Sequence, residues 1–136
     1  MRAKYHYQLE MKVRDYECDL QGIVNNSVYQ NYLEHARHEF LLSVGVDFAD
    51  LFSRGIAAVV ARVELAYKNS LKSGDRFVVR LRAEQQGVKY IFHQDVYRLP
   101  DEKLCLKGTI TSTSLINGRL AVSDEIVQAL NNLPYI

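Results

Sequence analysis

The chain has 136 residues and a mass of 15.6 kDa, enough for one domain with its own core, so we expect a single domain over residues 1–136. Apolar residues make up 48% and charged residues 24% of the sequence, a composition that excludes a disordered chain. Lysine and arginine total 17 against 16 acidic residues, so a net charge of +1 gives no basic excess for binding nucleic acid.

The cysteines and the N-terminal segment indicate a reduced compartment. Cys18 and Cys105 form no CxxC pattern, which argues against a disulfide framework and against a cysteine-rich zinc site. Residues 1–13 alternate polar and apolar side chains and lack the apolar core of a signal peptide. No stretch approaches the ~18–20 apolar residues of a membrane span. We therefore expect a cytoplasmic protein without a membrane span.

The first third of the chain predicts a strand, a polar loop and one long helix. Residues 5–14 alternate apolar and polar side chains, as in a half-buried strand, and the acidic segment 15–22 follows. Over residues 28–44 the apolar side chains recur every three or four positions, which is typical of an amphipathic helix about 25 Å long. Ser27 begins a capping-box pattern at its start, and Gly45 is suited to its end.

The rest of the chain consists mostly of alternating segments joined by short turns. Strand patterns cover residues 62–68, 77–83, 90–98 and 103–115. The Asn117-Gly118 pair predicts a type I′ hairpin turn, because both residues tolerate positive φ. Ser123 then caps a short C-terminal helix over about residues 124–132.

These elements predict an α+β fold in which a curved antiparallel sheet wraps around one long central helix. Short turns favour antiparallel pairing, and a single helix must bury its apolar face on the sheet. The other face of the sheet carries residues such as Arg80, Arg82 and Thr109. Such a sheet leaves open edges, which favours edge-to-edge dimerisation.

Asp19 lies shortly before the start of the long helix. The N–H groups at a helix N-terminus carry partial positive charge and stabilise a developing oxyanion. Because an aspartate is ionised at neutral pH, Asp19 is a candidate nucleophile or general base for attack on an acyl group. From spacing alone a structural role is favoured, in which Asp19 is a turn residue or stabilises the helix start electrostatically.

One motif spans this loop and the first half of the helix. It reads Asp19-x-x-Gly22-x-Val24-Asn25-Asn26-x-x-Tyr29, followed by Tyr32-Leu33-Glu34-x-Ala36-Arg37. The motif resembles the signature of hotdog-fold acyl-CoA thioesterases, in the group related to 4-hydroxybenzoyl-CoA thioesterase. Residues 70–75 resemble the family's turn before its third strand, and the element order matches along nearly the whole chain. The resemblance implies the hotdog fold and hydrolysis of an acyl thioester to free acid and CoA.

The resemblance also implies roles for single residues. Asp19 matches the family's catalytic aspartate, proposed as nucleophile or as general base towards water. Gly22 matches the glycine that lets the loop turn closely against the thioester, and the amides of Val28 and Tyr29 match those that polarise its carbonyl. Family sites lie between two subunits, so a homodimer or homotetramer is implied, with acyl-CoA or an acyl carrier protein thioester as substrate. No metal or redox cofactor is implied.

Asn26 stands where many family members have histidine. Because an amide transfers no proton at neutral pH, we assign Asn26 to orienting water or the carbonyl, with helix capping as the alternative. Asn25 is interpreted as structural. Glu34 and Arg37 resemble a family pair, for which we expect an i,i+3 contact.

The remaining candidates are weaker. Tyr32 is expected to line the acyl pocket, and Lys89, at a turn between strands, to reach the phosphates of CoA; a solvated charge is the alternative for Lys89. His35 and His38 are three residues apart but lack a third metal ligand, so we expect surface or interface histidines. Cys18 has no identifiable histidine base and is expected to be a small buried residue.

Two other functions fit the same fold. A hotdog hydratase or dehydratase needs a paired histidine and acid, and no histidine lies between Asp19 and Tyr29. A non-catalytic module that binds an acyl or aromatic ligand is favoured by the nine tyrosines, which suit an amphipathic pocket. Turnover of acyl-CoAs separates the hydrolase from the module, and hydration of an enoyl-CoA would indicate the hydratase.

Overall fold

The structure is a computed structural model that describes residues 4–136; residues 1–3, the start of the expected single domain, lie outside the described residues. Its elements are β1 (Tyr7–Lys12), a 3-10 turn (Asp15–Glu17), α1 (Asn26–Ser43), α2 (Phe48–Ser53), β2 (Ile56–Tyr67), β3 (Arg76–Gln86), β4 (Lys89–Leu99), β5 (Lys103–Ile116), β6 (Arg119–Leu120) and α3 (Asp124–Leu130). Within the described range, none of the helices combines the length and the apolarity that crossing a bilayer requires.

The strands form one antiparallel sheet in the order β1-β3-β4-β5-β2, with the short β6 paired to β5. The outer strands of this order are β1 and β2. The inner face of the curled sheet packs on the long helix α1, which supplies much of the core. The predicted α+β class, with a curved antiparallel sheet around one long helix, is therefore confirmed.

The core lies between α1 and the inner face of the sheet. The inner side of the helix buries Tyr29, Tyr32, Leu33, Ala36 and Phe40. Gly108 in β5 allows the helix to approach the sheet closely, because a β carbon there would lie 3.1 Å from both the Leu33 side chain and the Gln94 carbonyl oxygen. A side chain at this position would push the helix away from the sheet.

The capping residue of α1 lies two residues before the predicted one. Asn25, and not Ser27, is the capping residue: its Oδ1 accepts hydrogen bonds from the Ser27 N–H and hydroxyl, both at 3.1 Å. The prediction of Ser27 as the cap was wrong, because either side chain suits this position and only the backbone geometry distinguishes them. At the other end, Gly45 has a φ of +87° directly after the capping Val44, which confirms the predicted helix end.

The sequence pattern did not predict α2, and it placed the start of β2 too late. Helix α2 has only six residues, which is too short for a helical period to stand out, although its cap Asp47 accepts the Ala49 N–H at 2.9 Å. Strand β2 begins at Ile56, earlier than predicted, and its register shifts between Val60 and Arg62. A bulge of this kind interrupts the alternation that identifies a strand.

Candidate active site

The loop between β1 and α1 folds into a tight turn around Asp19. The Asp19 N–H donates to the Ile23 carbonyl at 2.9 Å, and the Gly22 N–H donates to the Asp19 carbonyl at 3.0 Å. Gly22 has a φ of +81°, a backbone conformation that residues with a side chain rarely adopt. The glycine therefore closes the turn that presents Asp19.

The Asp19 carboxylate faces solvent. Its Oδ1 accepts the Gln21 N–H at 2.8 Å, which orients the side chain, and within residues 4–136 its other oxygen accepts no hydrogen bond. The neighbouring Leu20 is fully exposed. An oriented carboxylate with one free oxygen can attack a carbonyl carbon or accept a proton from water.

The N-terminal turn of α1 lies directly after this loop. The Val28 N–H donates to the Asn25 carbonyl at 2.9 Å, while Asn25 also caps Ser27. The Tyr29 ring is buried, and its hydroxyl accepts the Leu71 N–H at 3.1 Å. These bonds fix the helix end, whose aligned peptide dipoles keep it electropositive even where single N–H groups are bonded.

Asn26 is the first residue of α1 and its side chain is exposed. Its carbonyl accepts the Tyr67 hydroxyl at 3.1 Å, whereas its side-chain amide makes no hydrogen bond with the described residues. Because Asn25 caps the helix, the capping alternative for Asn26 does not hold, and Asn25 is structural as predicted. The Asn26 amide is free to contact a ligand.

A small pocket of about 130 Å³ lies beside Asn26. It is lined by Ile23, Val24, Asn26 and Tyr29 on one side and by Tyr67, Lys68, Asn69 and Ser70 on the other. The backbone pairing of Ile23 with Lys72 brings these two segments together. The pocket therefore lies where the motif meets the segment after β2.

A buried acid, Glu17, connects the loop to the helix. It is only 9% exposed, and its Oε1 accepts the Tyr32 hydroxyl at 2.8 Å and the Arg14 N–H at 2.8 Å. Its carbonyl accepts the Asn25 N–H at 3.0 Å. Sequence analysis did not single out Glu17, because the only signal is an acid three residues after Arg14 in a polar loop.

Tyr32, expected to line the acyl pocket, lies in the core. It is 3% exposed and its ring packs on Phe77, with the centroids 4.6 Å apart. Burial, reinforced by the hydrogen bond to Glu17, raises the pKa of the Tyr32 hydroxyl well above its ordinary value. Tyr32 therefore acts as a neutral donor that holds Glu17 in place.

Lys89 lies at the end of the sheet opposite Asp19. Lys89 begins β4 and pairs with Gln86 at the far end of β3, whereas the start of β3 at Arg76 lies beside the end of β1, where the Asp19 loop begins. A strand as long as β3 spans roughly 33 Å. One chain therefore does not bring Lys89 and Asp19 together, and the alternative of a solvated charge for Lys89 stays open.

The other candidate side chains are not assembled into a second centre. The His38 Nε2 lies 3.9 Å from Glu34 Oε1, and burial lowers the pKa of this imidazole; His35 is exposed. Among residues 4–136, no three histidine, cysteine or acidic side chains cluster as metal ligands. Cys18 is half-buried, more exposed than expected, because it lies on the loop surface.

The curved sheet around one long helix, with an aspartate turn before that helix, defines a hotdog-fold protein of the thioesterase type. A sequence model of the thioesterase-like superfamily matches residues 13–130, and the chain belongs to this family. The hotdog fold and the resemblance to the family of 4-hydroxybenzoyl-CoA thioesterase are thereby confirmed.

Two curated plant proteins are similar in sequence. The chain is 38% identical over 112 residues to the acyl-acyl carrier protein thioesterase ATL2, and 37% identical over 107 residues to ATL3, both chloroplastic proteins of Arabidopsis thaliana. These matches cover 82% and 78% of the chain but only 60% and 56% of the relatives' lengths. The chain thus spans somewhat over half of each plant protein.

A solved structure shows the same fold at low sequence identity. A 1,4-dihydroxy-2-naphthoyl-CoA thioesterase from Synechocystis superposes with a TM-score of 0.88, covering 96% of this chain and 98% of that one at 15% identity. A similarity of this kind establishes the fold, and function has to be argued from the site.

Proposed function

We propose that the chain is a thioester hydrolase that converts an acyl thioester to the free acid and a thiol. The observation that carries the proposal is the Asp19 carboxylate, presented with one free oxygen just before the electropositive end of α1. The small pocket beside Asn26 lies at this helix end, and Ile23, whose carbonyl binds the Asp19 N–H, lines it. Membership of the thioesterase-like superfamily supports the same chemistry.

The reaction requires attack at the thioester carbonyl and departure of the thiolate. In one route Asp19 forms a C–O bond to that carbon and the C–S bond breaks, and water then hydrolyses the resulting mixed anhydride to the free acid. In the other route Asp19 accepts a proton from a water that forms the C–O bond, and the C–S bond then breaks. In both routes the thiolate takes up the proton that water releases. The negative charge on the carbonyl oxygen develops near the first turn of α1, where the aligned peptide dipoles at the amides of Val28 and Tyr29 stabilise it. Asn26 orients the water or the carbonyl, and Gly22 keeps the turn close to the substrate.

The thiol carrier is CoA or an acyl carrier protein. The names of the plant relatives specify acyl carrier protein. The Asp19 loop itself does not distinguish between the two carriers. A hydratase is less well supported, because none of the four histidines lies between Asp19 and Tyr29. A single domain over residues 1–136 and a cytoplasmic location stay predictions from sequence.

The proposal is tested by release of free thiol from a panel of acyl-CoAs and acyl carrier protein thioesters. We expect wild-type protein to release thiol from at least one acyl group. If none is hydrolysed on either carrier while an acyl ligand stays bound, the non-catalytic module is the correct interpretation.

We further propose that the working unit is a dimer formed through β2. This edge strand exposes Val59, Val60, Val63 and Tyr67, and an unpaired apolar edge favours pairing with a second copy. Antiparallel pairing of two β2 strands places the start of one beside the end of the other, near the partner's Asn26. Lys89 is level with the start of β2, across β5, so it would approach the partner's site.

Ala61→Asp, at an exposed position of β2, should convert the dimer to single chains and lower thioester hydrolysis, because the new charge would be buried in the interface. Sedimentation equilibrium measures the mass against the 15.6 kDa of one chain. Gln128→Asp, on the exposed side of α3, is the matched control and should change neither property. A fully active wild-type protein that sediments as a single chain would contradict the dimer.

A further inference from the structure

A groove runs between α1 and the edge strand β2. It consists of two adjoining pockets of about 210 Å³ each, which share Glu34, Arg37 and Val60. The pocket nearer the start of α1 includes Gln30, one residue after Tyr29 of the small pocket beside Asn26. The groove and the small pocket thus lie along neighbouring stretches of α1 and share no lining residue.

The far pocket has mainly apolar walls. Its lining includes Leu41, Phe48, Val59, Tyr90 and Phe92. From Asn26 to Leu41 the helix rises about 22 Å, which gives the groove the length and character to hold an extended acyl chain.

Arg37 is the buried charged residue of these walls, which also include the exposed Glu34 and His38. Its side chain lines both pockets although the residue is only 9% exposed, and its Nη1 donates to Gln94 Oε1 at 3.0 Å. Among the described residues no carboxylate lies within 4.0 Å of its guanidinium, and the expected contact with Glu34 is not formed. Glu34 is exposed and lies near His38 instead.

A buried guanidinium without an anion is costly unless a ligand or partner compensates it. Burial accordingly lowers the pKa of Arg37, and Glu34 only partly offsets the effect. The Gln94 amide that binds Arg37 also donates to the Leu33 carbonyl at 2.8 Å, which holds the guanidinium at the level of Leu33. Nη2 and Nε of Arg37 donate to no described residue, so they are available to a ligand.

We propose that Arg37 binds an oxygen acceptor carried by the acyl chain, so that the preferred substrates are acyl thioesters with a second oxygen function. A carboxylate makes the strongest such contact, because a guanidinium can bind it in bidentate fashion. Leu33 lies about 10 Å along the helix axis from Asn26. The acyl-chain oxygen bound by Arg37 therefore lies well away from the thioester carbonyl. The inference rests on the proposed thioester hydrolysis.

The test compares mono-CoA thioesters of straight-chain dicarboxylic acids with methyl-ended acyl-CoAs of equal length. At the best length, wild-type kcat/KM should favour the carboxylate by about ten- to a hundredfold, the effect of a hydrogen bond to a charged group. Arg37→Met should abolish or reverse this ratio. A hydroxyl-ended series separates a requirement for charge from a requirement for any acceptor oxygen.

Gln94→Met is the matched control for a purely structural role. It removes the bond that ties Arg37 to β4 and to the Leu33 carbonyl without removing the guanidinium. If Arg37 only fixes the helix, both variants lose activity on all substrates alike and the inference is wrong. If Arg37 binds the substrate oxygen, Arg37→Met abolishes the ratio, Gln94→Met lowers it less because the guanidinium remains but is less well positioned, and Arg37→Lys retains part of it.

The outcomes distinguish the inference from the proposed function. Equal hydrolysis of both series by wild type, or a ratio unchanged in Arg37→Met, overturns the role of Arg37 and leaves thioester hydrolysis standing. If neither series is hydrolysed, calorimetric binding decides instead. Tighter binding of the carboxylate-ended thioester by wild type than by Arg37→Met supports the inference, and equal binding overturns it.

Discussion

Asp19→Asn should lower kcat for thioester hydrolysis by about 10²–10⁴-fold and leave the fold and substrate binding intact. The change preserves the size of the side chain and an oxygen that can accept the Gln21 N–H, but it removes the charge that attacks the carbonyl or activates water in the proposed mechanism. Thiol release under saturating substrate measures kcat, and thermal unfolding checks the fold.

Asp15→Asn is the matched control for this variant. Asp15 is an exposed aspartate of the same loop, and its Oδ1 likewise accepts a neighbouring N–H, that of Tyr16, at 2.9 Å. If the loss of any negative charge in the loop lowered kcat, both variants would show the decrease. We expect a large decrease only for Asp19→Asn, and near-wild-type turnover by that variant would remove Asp19 from the mechanism.

Leu33→Ala should lower the free energy of unfolding by about 2–5 kcal/mol. Leu33 is fully buried on the inner face of α1, and it lies directly over Gly108 in the sheet. Truncation removes apolar contacts and leaves a cavity that the helix cannot close without moving other buried side chains. Urea unfolding followed by circular dichroism measures the difference.

Leu42→Ala makes the same chemical change on the same helix at a residue that is 52% exposed. It should change the free energy of unfolding by less than about 0.5 kcal/mol, because it leaves no cavity. Similar losses for both variants would show that burial under α1 does not determine the effect.

Elements with a strong local pattern could be predicted from sequence. The apolar period of α1 and the alternation of β5 located both elements to within two residues. The Asn117-Gly118 turn has the positive φ angles, 51° and 82°, that its residue types favour. The motif also placed Asp19 in a turn just before the helix, where the structure has it.

Features that depend on distant parts of the chain could not be predicted. The hydrogen bond from Tyr32 to Glu17 joins the helix to the loop, and a polar loop acid gives no signal of burial. The distance between Lys89 and Asp19 depends on the direction of β3, which residue types at the two ends do not reveal. The isolation of Arg37 from Glu34 depends on side-chain orientation, although both lie on one turn of the helix.

The far pocket of the groove draws its walls from segments that take no part in the aspartate turn. Phe48 belongs to α2 and Ile126 to α3, while Asp19 and Asn26 belong to the loop and the helix start. If the groove holds the acyl chain as proposed, substitutions or insertions in the two short helices change which acyl groups fit and leave the aspartate turn intact. Substrate specificity could then change, by evolution or by engineering, without an initial loss of activity.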